Sequence, residues 1–307
     1  MTVDTGNDLV LITAASGKQA SALLPHLYGK WERLRLRLQC ISDSSAARLR
    51  EQYPNAEVVQ SGFADLFSAR KLLDGVSVCF LITPGFHPRE AQHGMNMVDA
   101  ALESYHSTGD FKHMVFSSVL HPIKTAMANH DNKRTVEEAL AESDLPYTVV
   151  QPTQLMDNVP IKMIAAQEKP VFPARFKPAT KFTLVSCYDL GEAVANIITQ
   201  REKHFFATYQ ISATPPMDFY EGMSLVSEVI GKNVKVQRIP LEDAVKGFES
   251  TIPQGTDERD KEAIKRNAAR MLVYYESQGL IGNANVLEML LGREPLGWRG
   301  WVEMMVK

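Results

Sequence analysis

The chain has 307 residues, 45% of them hydrophobic and 22% charged, a globular mix with enough length for a large core and two subdomains. A formal net charge of −3 gives no basic excess for nucleic acid or for an anionic membrane surface. Asp4 and Asp8 precede a short apolar run, which is not a signal peptide, and no segment reaches transmembrane length; a reducing, cytoplasmic compartment is the expectation.

Leu9 to Ile12 reads as a first strand. It runs into small residues, Thr13 to Gly17, and then into a helical pattern through Ala20, Leu23, Leu24 and Leu27. A turn of small residues lets a phosphate approach the backbone, and the helix behind it offers free N–H groups and a positive dipole end. The dinucleotide fingerprint has three glycines here; two of those places hold Ala14 and Ala20, and only Gly17 remains.

Further strands are predicted at 34–41, 56–60, 77–82, 112–117 and 147–151, with helices at 45–52, 68–73, 90–105 and 133–142 between them. The alternation predicts an α/β fold, a doubly wound parallel sheet with helices on both faces. Ligands then bind at the carboxyl ends of the strands, in the loops 13–19, 42–44, 83–87, 117–124 and 152–158. Past Pro152 the regularity weakens. Pro170, Pro173, Pro178 and several charges make 169–181 a surface loop. Helices follow at 189–199 and 218–230, strands at 205–211 and 234–239, and the last stretch is helical. The expected division is a nucleotide-binding domain, 1–153, whose sheet is completed by parts of 183–212, and a smaller, partly helical substrate domain, 154–307. Cys40, Cys79 and Cys187 read as small buried hydrophobes, and the histidine spacing shows no metal site.

The residues now accumulate into a family. Thr13–Ala20 reads T-A-A-S-G-K-Q-A, Gly75–Pro84 reads G-V-S-V-C-F-L-I-T-P, and Phe116-Ser117-Ser118, His130-x-x-Lys133 and Pro146–Pro152 (P-Y-T-V-V-Q-P) follow, with Asn158 and Leu291–Pro295 after them. The chain resembles the NmrA-like branch of the atypical short-chain dehydrogenase/reductases over nearly its whole length. Gln151 stands where that family often has Arg. The resemblance implies a Rossmann fold that binds NADP(H) or NAD(H).

On that resemblance the cofactor would lie along Thr13, Ala14, Ser16, Gly17, Lys18 and Gln19, with Thr83, Pro84 and Pro152 towards the nicotinamide ribose. Ser42 and Asp43 end the second strand, where NAD and NADP are told apart. Lys18 and the hydroxyls of Ser42 and Ser44 can serve a 2′-phosphate, and Asp43 opposes one unless it points away, so NADP(H) is favoured over NAD(H). Asp43 or Ser44 would cap the following helix. Typical short-chain reductases use Tyr-x-x-x-Lys. Lys133 keeps the lysine's place, but Asn129 holds the tyrosine's, and an amide does not titrate usefully. Lys133 would hold the ribose, Ser117 would orient a substrate carbonyl, and His87, His121 or His130 would supply a proton. Phe86, His87, Met156 and Asn158, with Trp298 and Trp301, would line a substrate pocket.

Three functions remain open. The first is an NADPH-dependent reductase of a small apolar substrate of secondary metabolism, acting on an activated C=N or C=C bond more readily than on C=O. The second is a non-catalytic NADP(H) sensor with a protein partner. The third is an isomerase, dehydratase or cyclase with no net hydride transfer. The expected ligands are small molecules, with no nucleic acid, membrane or metal.

Overall fold

The computed structural model describes residues 8–31, 34–249, 252 and 256–307. Asp4 lies outside them. The elements in chain order are β1 (Leu9–Ile12), α1 (Lys18–Leu27), β2 (Arg35–Cys40), α2 (Asp43–Gln52), β3 (Glu57–Gln60), α3 (Leu66–Leu73), β4 (Val78–Leu81), α4 (Glu90–Ser107), β5 (His113–Ser117), α5 (Ala128–Glu142) and β6 (Tyr147–Pro152). After them come β7 (Gln154–Leu155), α6 (Ile161–Ala166), β8 (Val171–Ala174), β9 (Leu184–Val185), α7 (Cys187–Gln200), β10 (Ala207–Ile211), α8 (Phe219–Ile230), β11 (Lys235–Arg238), α9 (Leu241–Glu249), α10 (Glu258–Gln278), α11 (Asn285–Leu291) and α12 (Trp298–Val306).

Seven strands form one parallel sheet in the order β10-β6-β5-β4-β1-β2-β3. This is the doubly wound Rossmann arrangement, reversing beside β1. Successive strand residues point to opposite faces. Val10 and Ile12 therefore pack under α1, α2 and α7, while Leu9 and Leu11 pack under α3, α4 and α5. Every residue of β1 and β4 is buried, as a parallel sheet covered on both faces requires. A third cluster, with Phe172, Phe182, Tyr275, Trp298 and Trp301, holds together the elements after β6.

The segment expected to be a loop at 169–181 contains β8, paired in parallel with β11. Pro173 lacks an N–H but sits in a two-stranded sheet, where a proline costs little. The apolar residues between the prolines decide the outcome: Phe172, Ala174 and Phe176 are buried in the third cluster. Ser42, and neither Asp43 nor Ser44, caps α2, accepting from the Ser45 N–H. Helix α5 begins at Ala128, five residues before the expected start, so Asn129, His130 and Lys133 share one helix. Trp298 and Trp301 stack on each other in the core, and the Trp298 indole donates to the Gly222 carbonyl. Both are buried in the third cluster, as core rather than as an exposed lining.

Helices α4 and α5, over the β4–β5 side of the sheet, lie very close together. A Cβ at Gly94 of α4 would lie 2.4 Å from Val136 Cγ2 of α5. Only glycine lets α4 and α5 approach this closely, and the stiff β-branched valine cannot turn aside. Gly94 is one turn beyond Glu90, and Val136 is just beyond Lys133, so this approach also brings those two charges together. Gly94→Ala is expected to lower stability by about 1–3 kcal/mol in chemical denaturation, and the Val136→Ala background should remove most of that loss.

Candidate functional site

The site is built at the carboxyl ends of β1, β4 and β5. Thr13 leaves β1 fully buried. Its Oγ1 donates to the Ile82 carbonyl at 2.9 Å and accepts from the Ile82 N–H at 2.7 Å. Both capacities of the hydroxyl are used, so Thr13 staples β1 to β4 beneath the turn. Ala14 follows with φ +47°, a left-handed conformation that glycine adopts freely and alanine does not. Its N–H is held by Gln39 Oε1 at 2.8 Å, and the Ala15 N–H by the Gln39 carbonyl at 2.8 Å. Gln39 thus enforces the turn shape that a glycine would permit.

Gly17 caps α1 and is exposed. A Cβ there would stand 3.1 Å from the Ala14 carbonyl, close enough to disturb the turn. Helix α1 has no side-chain cap and no acidic residue in its first turn. Its leading N–H groups therefore remain available to an anion. Lys18 reaches across to the segment after β7, donating to the Asp157 carbonyl and Asn158 Oδ1, both at 2.9 Å. Gln19 Oε1 accepts from Ser117 Oγ at 2.7 Å. At the end of β2, Asp43 Oδ1 accepts from Gln60 Nε2 at 2.8 Å. Arg48, one turn beyond Ser44 on α2, lays its guanidinium 3.2 Å from the Ser16 carbonyl.

Lys133 is nearly buried. Its Nζ donates to Thr83 Oγ1 at 2.7 Å and to the Ser117 carbonyl at 2.9 Å, and lies 3.2 Å from Glu90 Oε1. Thr83 Oγ1 in turn donates to Glu90 Oε1 at 2.7 Å. Glu90 is fully buried, and its Oε2 has no hydrogen-bond partner among the described residues. Pro84 follows in the half-buried loop, and Phe86 has φ +65°. Its ring meets Phe248 of α9 at 5.4 Å, and its carbonyl accepts from Asn267 of α10 at 3.1 Å. His87 Nε2 lies 3.6 Å from Asp260, which also takes Arg89 at 2.7 Å. The loop after β4 is therefore fastened to the helices above the sheet. After β5, His121 has φ +56° and its Nε2 bonds the Ile281 carbonyl at 2.9 Å. Ala14, Phe86 and His121 put unfavourable backbone in the loops after three strands of one sheet, the kind of strain that gathers at binding sites.

The other expected residues are distributed differently. Asn129 lies beside the Tyr275 hydroxyl of α10, and its Oδ1 has no partner among the described residues. His130 is buried, with Nδ1 at 2.9 Å from the His121 carbonyl and Nε2 at 2.8 Å from Tyr275 Oη. A carbonyl only accepts, so Nδ1 carries the proton and Nε2 accepts from the phenol. Burial pushes the Tyr275 hydroxyl up and holds His130 at about 4. His130 is neutral near pH 7, with no free proton to give. Pro152 is buried in β6, where its carbonyl accepts from Leu120 N–H at 2.9 Å. Met156 is fully buried in the third cluster. Lys133, Thr83, Ser117, Gln19 and Gly17 come together; Met156 and His87 do not join them.

Sequence reasoning missed Gln39, Arg48, Glu90 and Tyr275. Gln39 was visible as a polar residue between Leu38 and Cys40 in the second strand. Glu90 reads as an ordinary acidic residue at a helix start, and Tyr275 comes from 146 positions beyond Asn129, with no local signal.

Residues 6–268 match the model of the NmrA-like family. The chain belongs to that family. Among proteins of curated function none matches it. An NADPH-dependent quinone oxidoreductase of Escherichia coli, solved with NADPH, is 21% identical with TM-score 0.75, over 97% of this chain and 100% of that one. A triphenylmethane reductase of Citrobacter sp., solved with NADP(H), is 20% identical with TM-score 0.74, over 97% of this chain and 99% of the other. NmrA, a negative transcriptional regulator solved with NAD, is 16% identical with TM-score 0.72, over 97% and 94%. At these identities the likeness is one of fold. Among the described residues no helix is long and apolar enough to cross a membrane.

The buried His130 links stability to pH. Unfolded, it takes a proton near 6.5; folded, it refuses one until about 4. Between those values the unfolded state binds more protons, so stability falls as pH falls and levels off above about 6.5. Denaturation midpoints measured from pH 7 to 4.5 should fall, and His130→Gln should lessen that slope, with the rest left to the other histidines whose burial lowers them, His113 and His93 foremost.

Proposed function

We propose that this NmrA-like chain is an NADPH-dependent reductase of a small apolar electrophile, delivering hydride to an activated C=N or C=C bond. The observation that carries the reading is the convergence of the open α1 N-terminus, the Thr83–Lys133 pair and three strained loops on one carboxyl edge of a parallel sheet. The residues fit a dinucleotide in two respects. Gly17 leaves the helix start without a side chain, where a Cβ would press on the Ala14 carbonyl at 3.1 Å, and a buried carboxylate oxygen, Glu90 Oε2, lacks a donor among the described residues. The nicotinamide, when bound, supplies the hydride. The first-turn N–H groups of α1 would hold the pyrophosphate. Lys133 and Thr83 would hold the nicotinamide ribose.

NADP(H) rather than NAD(H) is our reading of the β2 end, with Arg48 as the cation. Its guanidinium lies at the turn, Ser42 and Ser44 stand at the start of α2, and Asp43 is drawn aside by Gln60. Guanidinium suits a phosphate geometrically. Lys18 instead ties the turn to the segment after β7, where Asp157 and Asn158 engage its ammonium. We assign the cofactor to 1–153 with the later strand, and the substrate to the elements after 154 beside Phe86.

The substrates named for the two reductases of this fold, a quinone and a triphenylmethane dye, are conjugated electrophiles. Such carbons accept hydride with little help from an acid, which suits Asn129 in the place of a tyrosine. That same asparagine, with a neutral His130 beside it, also favours a second reading as a cofactor-binding regulator in the manner of NmrA.

Purified protein is expected to bind NADPH by calorimetry. Arg48→Ala should weaken NADPH about tenfold or more and leave NADH within about twofold. Equal loss for both forms would remove Arg48 from 2′-phosphate recognition. NADPH absorbance should fall when a quinone or a cationic iminium acceptor is added. Binding without turnover of any such acceptor would move the chain to the regulator reading, and turnover without reduced cofactor to an isomerase or lyase.

A further inference from the structure

We infer that Glu90 is a positioning residue of this site, one that cancels the charge of Lys133 so that the lysine acts as a hydrogen-bonding peg and not as a net positive charge. The inference rests on the cofactor reading proposed for this site.

The geometry is specific. One carboxylate oxygen, Oε1, receives Thr83 Oγ1 at 2.7 Å and lies 3.2 Å from Lys133 Nζ, while Nζ also donates to Thr83 Oγ1 at 2.7 Å. The three groups form a closed triangle. The Lys133 side chain is 11% exposed and that of Glu90 0%. In such surroundings charges interact strongly and salt screens them little. The Phe116 ring lies 5.1 Å from Nζ, so no other anion reaches the ammonium from that side. Glu90 is in the first turn of α4, where the helix dipole favours a carboxylate. Its Oε2 is buried without a hydrogen-bond partner among the described residues, an unfilled acceptor beside the lysine.

The chemistry gives this balance a purpose. In a Tyr-x-x-x-Lys site an uncompensated ammonium helps a phenol lose its proton. Asn129 has no proton to lose, so a bare charge there serves nothing. It would also repel the nicotinamide ring in its oxidised form, which is a cation, and leave the neutral reduced form alone. Glu90 removes that bias and keeps Lys133 aimed.

The test is the ratio of two affinities. Dissociation constants for NADP⁺ and NADPH are measured by calorimetry on the unaltered protein, Glu90→Gln and Glu90→Gln/Lys133→Met. Gln keeps the size and a hydrogen-bonding oxygen but drops the charge. In Glu90→Gln the ratio of the NADP⁺ constant to the NADPH constant should rise about tenfold or more. In the double variant, which removes both charges and is the one to rely on should the single variant fail to fold, the ratio should stay within about twofold of the unaltered protein. A purely structural Glu90 would weaken both forms equally in Glu90→Gln, and that outcome overturns the inference. So does a double variant whose ratio departs from the unaltered one. Failure of the unaltered protein to bind either form overturns the cofactor reading itself, and this inference with it.

Discussion

A lysine and a glutamate buried side by side constrain everything around them. Either charge alone in that place would cost several kcal/mol, and each lowers that cost for the other. The pair joins the first residue of α4 to the first turns of α5, and Thr83 and the Ser117 carbonyl join both to the ends of β4 and β5. Gly94 and Val136 set the helix separation that lets the two side chains meet. The register of two helices on two strands is thus written into one ion pair.

The second constraint is a turn made without its usual glycines. Ala14 takes a left-handed conformation because Gln39 holds its N–H from the neighbouring strand and Thr13 pins the strand beneath it. A loss of backbone freedom in β1 is offset by hydrogen bonds from β2 and β4. The loops holding Phe86 and His121 are restrained likewise, by α10 and by the segment around Ile281. Each of these loops is tied to a different part of the chain.

Most of the sheet was legible in the sequence. Fully buried parallel strands are continuous apolar runs, and the strands through β6 were found to within a residue or two. The early start of α5 was not, because Ala128–Asn132 carries little apolar periodicity and the helix is held there by His130 and its partners. The strand β8 was hidden by its prolines. Within the site, the turn after β1 and Lys133 were visible through local spacing. The partners that decide their behaviour were not. Glu90 meets Lys133 across 43 positions and Asn129 meets Tyr275 across 146, and no local pattern marks pairs that only the packing of helices creates.

The last strand of the large sheet has a consequence for how the chain is made. Strand β6 ends at Pro152, but its outer neighbour β10 begins only at Ala207, and the two pair in parallel along their length. At a synthesis rate of about 5–20 residues per second, roughly 3–11 seconds separate the emergence of one from the other. Through that interval an apolar strand waits with a row of unmatched backbone groups, the form most ready to join the wrong partner. The interval ends when Ala207–Ile211 pairs with β6, so the open sheet edge lasts as long as the ribosome takes over the residues between the two strands.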